Sequence, residues 1–171
     1  MKLMAHPNTA GREAALQYLY MHDVLTGMER PAGDSPARTE AGETPAPPKD
    51  VQPFGEWLEH QQPKLDAEST AFAHKNVAAV IAHKAELDTE IASVAENWDV
   101  SRMAVVDRNI LRLGVAEMMT CPETTHNVVI NEAVELAKRF SSDEAGAFVN
   151  GLLDKLRMKL RPETVDGNDE C

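Results

Sequence analysis

The recurrence of apolar residues at helical spacing constrains this chain more than any other feature of its sequence. Apolar side chains return every three or four residues in several segments, and no stretch alternates apolar and polar residues as a half-buried strand does. The pattern therefore predicts an all-α fold. With 171 residues, of which 43% are hydrophobic, the chain is long enough to bury roughly 70% of its unfolded surface around one core.

The first half of the chain predicts at least three helices. The first is expected to begin after Thr9, which can act as an N-cap, and to end at Gly27. A short apolar face starts at Phe54 and lasts until a proline interrupts it. Between residues 70 and 98 the apolar period continues over a length that fits one long helix, or two helices with a break near Lys84–Glu86.

Further amphipathic segments follow in the second half. Ser101 is predicted to cap the next helix, and the sequence Ser141-Ser142-Asp143-Glu144 has the S-x-x-E form of a capping box that would open the last one. Gly114 and Gly151 lie inside predicted helices, where glycine costs ~1 kcal/mol relative to alanine, so each is predicted to permit a close helix crossing. The helix after Ser101 is predicted to turn four charged residues toward its more solvent-exposed, wetter side: Arg102, Asp107, Arg108 and Arg112.

Composition divides the chain into four parts. Residues 1–29 contain the first helix of the domain, and residues 30–53, which hold six prolines among small and charged residues, are predicted to form a disordered insertion. Residues 54–160 supply the rest of the helical domain. Residues 161–171 carry four acidic side chains and one basic side chain, and we expect a disordered acidic tail there.

The net charge of −11 at first sight argues against nucleic acid as a ligand, because phosphate binding requires basic side chains. The charge is unevenly distributed, however: residues 101–160 contain eight basic and eight acidic residues. Lys138 and Arg139 form one basic pair there, and a solvated helix face is the simpler interpretation of it. The absence of a membrane-length apolar run and of a leader pattern indicates a cytoplasmic protein that binds no membrane. Cys121 and Cys171 are interpreted as free thiols.

Catalytic chemistry is not indicated by any motif. The six histidines include no H-E-x-x-H spacing, and neither a G-x-S-x-G sequence nor a phosphate-binding glycine loop occurs. We therefore expect no catalytic residues, no metal site and no cofactor.

Three segments carry a resemblance to a known family. The sequences GREAALQYLY at 11–20, VDRNILRLGVAEM at 106–118 and VVINEAVELAKRFSSDEAGAFVNGLLDKL at 128–156 resemble the NusB family of bacterial transcription antitermination factors, in the same order and spacing. The resemblance implies a NusB-like helical fold, with two small helical bundles packed into one domain. It also implies binding to boxA-type single-stranded RNA together with the ribosomal small-subunit protein NusE, during ribosomal RNA transcription and with only an indirect link to the RNA polymerase elongation complex.

The same resemblance suggests which residues form the RNA and partner surfaces. The RNA surface would include the basic N-terminal segment, one face of the first helix and the F-V-N-G stretch near the end, which correspond here to Lys2, Arg12, Gln17, Tyr20, Phe148 and Asn150. Aromatic rings stack on the bases of single-stranded RNA, amides bond to base edges and arginine contacts phosphate. Asp143 and Glu144 would face basic side chains of NusE.

The chain departs from the family pattern at its N-terminus. Family members carry several arginines ahead of the first helix, whereas Lys2 and Arg12 are the only basic residues of the first 14 here. Two interpretations therefore remain. The chain is either an RNA-binding antitermination factor, or a NusB-fold protein-interaction module in which RNA binding is weakened or lost.

Overall fold

The computed structural model describes residues 8–26, 51–96 and 98–160. All regular secondary structure in this part of the chain is helical, which confirms the predicted all-α fold. The elements are α1 (Thr9–Leu25), α2 (Phe54–Glu59), α3 (Ala67–Ala82), α4 (Lys84–Val94), a 3₁₀ turn (Val100–Arg102), α5 (Val105–Thr120), α6 (His126–Phe140) and α7 (Asp143–Leu160). Lys2, the acidic tail and nearly all of the insertion lie outside the described residues. None of the described helices is both long enough and apolar enough to span a membrane.

Helix α5 is the centre of the fold. Helices α1, α3, α4, α6 and α7 all pack against it, and from Arg108 to Met118 every residue of α5 is buried. The N-terminal helices α1 and α3 lie side by side with α2 against them, while α6 and α7 form a hairpin on the other part of the domain. Apolar side chains from all these helices, including Leu16, Ile110 and Leu153, form one core.

Two glycines allow close helix crossings. A Cβ at Gly114 of α5 would lie 3.0 Å from both Cδ atoms of Leu153 in α7, so this crossing confirms the prediction for Gly114. At Gly11 of α1, a Cβ would lie 2.7 Å from the backbone oxygen of Ser69 in α3. Gly151 was also predicted to permit a close crossing, and this is wrong because nothing lies within 4 Å of its Cβ position.

Several helix boundaries lie near the predicted positions but differ from them in detail. Helix α1 begins at Thr9, but Asn8 occupies the N-cap position, and the Thr9 hydroxyl donates instead to Glu132 of α6 at 2.7 Å. Residues 70–98 do not form one helix, because the chain breaks at His83, one residue before the predicted Lys84–Glu86. Helix α3 starts after Asp66, whose carboxylate accepts the backbone N–H of Ser69 at 2.7 Å.

The helices in the second half also start differently from the prediction. Ser101 does not cap α5: it lies in the 3₁₀ turn, where its backbone N–H donates to Asp99 at 2.9 Å, and Ala104 precedes α5. The predicted capping box of Ser141 and Glu144 is shifted by one residue. Ser142 caps α7, since its hydroxyl accepts the backbone N–H of Ala145 at 3.0 Å. Glu144 is therefore free of a capping role and lies exposed.

Candidate nucleic-acid interface

Helix α1 presents one exposed polar and aromatic face. Gln17 is exposed, and Tyr20, one turn further along, is 44% exposed. Val24 continues the same face and is 46% exposed. Residues three and four apart lie on the same side of a helix, so an amide, a phenol ring and an apolar side chain form a continuous strip that the domain does not cover. We call these three residues the α1 strip.

The opposite face of α1 is held in the core by charged side chains. Arg12 is only 5% exposed. Its Nε donates to Oε2 of Glu117 in α5 at 3.0 Å, a second nitrogen donates to the other oxygen of that carboxylate, and Nη1 lies 3.5 Å from Oε2 of Glu132 in α6. The ring of Phe72 in α3 lies 4.8 Å from the guanidinium carbon. We therefore assign Arg12 to the junction of four helices and not to a phosphate-binding surface.

A second buried charge network lies at the other end of α1. Arg112 of α5 is completely buried and donates to Asp23 of α1 at 3.0 Å and to Asp88 of α4 at 2.6 and 2.7 Å. Lys84 and Asn109 also donate to Asp23, both at 2.9 Å. The assignment of Arg112 to the wetter side of its helix is therefore wrong. Arg108 is buried as well, and it donates to the backbone oxygen of Val100 at 2.9 Å.

Phe148 of α7 lies beside an exposed tryptophan. Its ring is partly buried, and the centroid lies 5.3 Å from that of Trp98, which is 59% exposed. These two rings line a cleft of about 310 Å³ together with Arg102, Asp107 and Glu144. We call it the Trp98 cleft. The cleft combines flat aromatic surface with charges of both signs, which suits a mixed surface of bases and protein side chains.

Asn150 and Asp143 lie on the outer side of the same helix. Both are exposed, as is Glu144 in the first turn of α7. Phe148 contacts Trp98 rather than Tyr20, so the predicted residues fall into two groups, the α1 strip and the first half of α7. Trp98 and Arg102 were not among the predicted site residues. Trp98 ends the apolar period of residues 70–98, so the sequence contains no signal of its exposure.

A cation borders the α1 strip. Arg139, in the last turn of α6, forms an ion pair with Glu13 of α1, one turn before Gln17. Its side chain is 63% exposed, and its guanidinium carbon lies 5.3 Å from the centroid of the Phe140 ring. The neighbouring Lys138 is also exposed and pairs with Glu135 of its own helix at 3.4 Å.

Local contacts displace the pKa values of Asp66, Asp99 and Tyr18 from their ordinary range. Hydrogen bonds from Ser69 lower the pKa of Asp66, and hydrogen bonds from Ser101 lower the pKa of Asp99. Burial raises the pKa of the Tyr18 phenol, which donates to the backbone oxygen of Gln52 at 3.0 Å. None of the three lies on the α1 strip or lines the Trp98 cleft, and the two lowered values belong to carboxylates that bind backbone N–H groups where a helix or turn begins.

Comparison with known proteins identifies the family. The NusB family model matches residues 9–157. The transcription antitermination protein NusB of Sorangium cellulosum is 41% identical over 152 residues, which cover 89% of this chain and 92% of the relative. This relative is a transcription antitermination protein, in agreement with the expectation that the chain is not an enzyme.

Solved structures show the same fold. The structure of NusB from T. maritima has a TM-score of 0.69 and 25% sequence identity, over 91% of this chain and 94% of that one. A structure of the antitermination factors NusB and NusE in complex with double-stranded RNA matches with a TM-score of 0.66 and 26% identity, over 91% and 99% of the two chains. The sequence match along nearly the whole domain and the shared helical architecture together show that this chain belongs to the NusB family.

Proposed function

We propose that this protein is an RNA-binding transcription antitermination factor that pairs with NusE on boxA-type single-stranded RNA during ribosomal RNA transcription. It would act in the cytoplasm and reach the RNA polymerase elongation complex indirectly, through the assembled pair. The observation that carries the proposal is the α1 strip, because Gln17 and Tyr20 lie exposed side by side on one face of α1. The solved complex of a related NusB with NusE and double-stranded RNA supports NusE and RNA as the classes of partner.

The chemistry of the two exposed groups fits this role. Tyr20 offers a ring on which a base stacks, and the Gln17 amide both donates to and accepts from base edges. Phe148 and Trp98 provide a second aromatic surface, and Glu144 and Asp143 lie exposed beside it. We propose that these two carboxylates pair with basic side chains of NusE. Asn150 lies exposed two residues from Phe148 and would add a second amide to the RNA surface.

One observation favours the alternative function of a protein-interaction module. Arg12 is bound to two carboxylates inside the domain, so it does not supply the phosphate contact that the family pattern implied. Lys2 lies outside the described residues. With less positive charge on α1, the isolated chain would bind RNA weakly, and the module interpretation would hold if NusE did not restore binding.

Variants of the two aromatic residues test the proposal. We expect Tyr20→Ala and Phe148→Ala each to weaken binding of a fluorescein-labelled boxA-type RNA by the complex with NusE by about 1–3 kcal/mol, the range for a stacked base. Met158→Ala is the matched control, because Met158 is also an exposed side chain, 58% exposed on the far part of α7. Circular dichroism must show native helix content for each variant. Equal binding by all three variants and the unmodified protein would contradict the proposed surface.

A further inference from the structure

The proposed RNA surface contains an aromatic ring and an amide, but within the described residues Arg12 does not supply the phosphate contact expected of it. The family pattern places that role on the basic residues before and at the start of α1, and here Arg12 is 5% exposed and bound to Glu117 and Glu132. A surface that binds single-stranded RNA requires cations along the backbone path as well as stacking groups. Among the described residues, an exposed cation on another helix beside the α1 strip would supply this contact.

Arg139 has the position and the exposure for this role. Its partner Glu13 lies on the same side of α1 as Gln17, at the i,i+4 spacing that brings side chains together. The guanidinium therefore lies at the edge of the α1 strip, and its side chain is 63% exposed. The planar guanidinium carries five N–H donors and binds phosphate with two parallel hydrogen bonds, and one carboxylate does not use all of them.

Two neighbours of Arg139 hold its guanidinium in place. The Phe140 ring lies 5.3 Å below it, which limits its freedom through a cation–π contact. The Glu13 carboxylate holds it from the side of α1. Since Glu13 is itself an anion, it repels an arriving phosphate and competes with it for the same donors.

We propose that Arg139 is a phosphate-binding residue of the RNA surface and that Glu13 is the internal anion that an RNA phosphodiester displaces from it. This inference rests on the proposed function and adds a residue from α6 to it. It gives the two members of one ion pair opposite effects: Arg139 favours RNA binding and Glu13 opposes it. A merely structural ion pair between α1 and α6 has no such asymmetry, because removing either partner breaks the same contact.

The experiment measures binding of the labelled boxA-type RNA to the complex with NusE by fluorescence anisotropy, over a range of salt concentrations. We expect Arg139→Gln to weaken binding about fivefold to tenfold at low salt, where tenfold corresponds to 1.4 kcal/mol. Losing one phosphate contact makes the slope of log affinity against log salt shallower by about 0.7. The ratio of the affinities of the unmodified and Arg139→Gln complexes should therefore fall by about fivefold for each tenfold increase in salt. We expect Glu13→Gln to strengthen binding at low salt by about twofold or more, since it removes a competing charge.

A second ion pair between helices supplies matched controls. Lys159 of α7 pairs with Glu90 of α4, and both side chains are partly exposed. Lys159→Gln and Glu90→Gln change the net charge by the same amounts as the Arg139 and Glu13 variants and break an equivalent contact. We expect both controls to stay within twofold of the unmodified protein. Larger effects from them would mean that net charge alone explains the result and would overturn the inference.

The remaining outcomes separate this inference from the proposed function. If Arg139→Gln and Glu13→Gln weaken binding in parallel, the pair is structural and the inference is overturned. If neither changes affinity or salt slope while Tyr20→Ala still weakens binding, Arg139 is not a phosphate ligand and the proposed function stands. If the complex with NusE binds no RNA at all, the proposed function fails and the inference fails with it.

Discussion

The crossing of α5 and α7 allows a test of packing by a double-mutant cycle. A Cβ at position 114 would lie 3.0 Å from both Cδ atoms of Leu153, and Leu153 is completely buried. The leucine side chain must therefore shift by a few tenths of an ångström if a methyl group is added at position 114. Gly114→Ala adds a methyl group to a filled site, and Leu153→Ala removes the side chain that fills it.

The structure gives a sign and a size for each step. Leu153→Ala should destabilise the fold by about 2–5 kcal/mol through the lost transfer energy and the cavity left behind. Gly114→Ala should lower the free energy of unfolding by about 1–3 kcal/mol through overpacking. The higher helix propensity of alanine offsets this loss by ~1 kcal/mol. Once Leu153 is replaced by alanine, the overpacking disappears. Gly114→Ala should then stabilise the protein, so the two substitutions should couple favourably by about 1–3 kcal/mol.

Urea denaturation followed by circular dichroism measures the four free energies of unfolding in this cycle. The unfolding slopes must agree among the variants, since a changed slope indicates a changed unfolded state or an intermediate. Additivity within about 0.5 kcal/mol is the usual result for residues that do not touch. Such additivity would refute the assigned contact between Gly114 and Leu153, and with it the helix phase of α7.

Three further predictions concern buried polar groups and helix capping. Arg112→Met should lower the free energy of unfolding by about 3–5 kcal/mol, because it leaves the buried carboxylate of Asp23 without its guanidinium partner. Urea denaturation measures this loss, and a loss below about 1 kcal/mol would contradict the prediction. Tyr18→Phe should cost about 0.5–1.5 kcal/mol through loss of the hydrogen bond to Gln52, whereas an unchanged unfolding midpoint would mean that this bond is not formed. Folding lowers the pKa of Asp66, so its ionised carboxylate stabilises α3 at pH values above the ordinary carboxyl pKa. This stabilisation is lost as the pH falls through the lowered pKa. The stability difference between the protein and Asp66→Asn should therefore shrink on acidification in thermal melts at successive pH values, and a pH-independent difference would show that the charge of Asp66 is not involved.

Local periodicity was sufficient to predict the helices but not the partners of charged residues within them. The charged side chains of α5 were predicted to form its solvent-exposed face. Arg112 is nevertheless completely buried, because Asp23 and Asp88 bind it from two other helices. Those partners are 89 and 24 residues away along the chain, so no short window contains them. Arg112 does stand between Leu111 and Leu113, and a charge flanked by apolar residues was the available signal.

The candidate site shows the same division between local and distant information. Gln17 falls outside the apolar period of α1, so its exposure could be predicted from the sequence. Tyr20 fits that apolar period, and its 44% exposure became visible only in the structure. The burial of Arg12 depends on Glu117 of α5, which is 105 residues away along the chain. The position of Arg139 beside α1 depends on how α6 packs, which brings it to Glu13 across 126 residues. The roles of these two arginines therefore became assignable only from the three-dimensional arrangement.

The most direct test of the central claim compares two RNAs and two protein states. Fluorescence anisotropy would measure the affinity of the chain alone, and of its complex with NusE, for a boxA-type RNA and for a scrambled RNA of the same length and composition. We expect the chain alone to bind both RNAs weakly. We expect the complex with NusE to bind more tightly and to prefer the boxA-type RNA. A complex that forms but binds both RNAs equally weakly would contradict the antitermination function and leave the protein-interaction module as the better description.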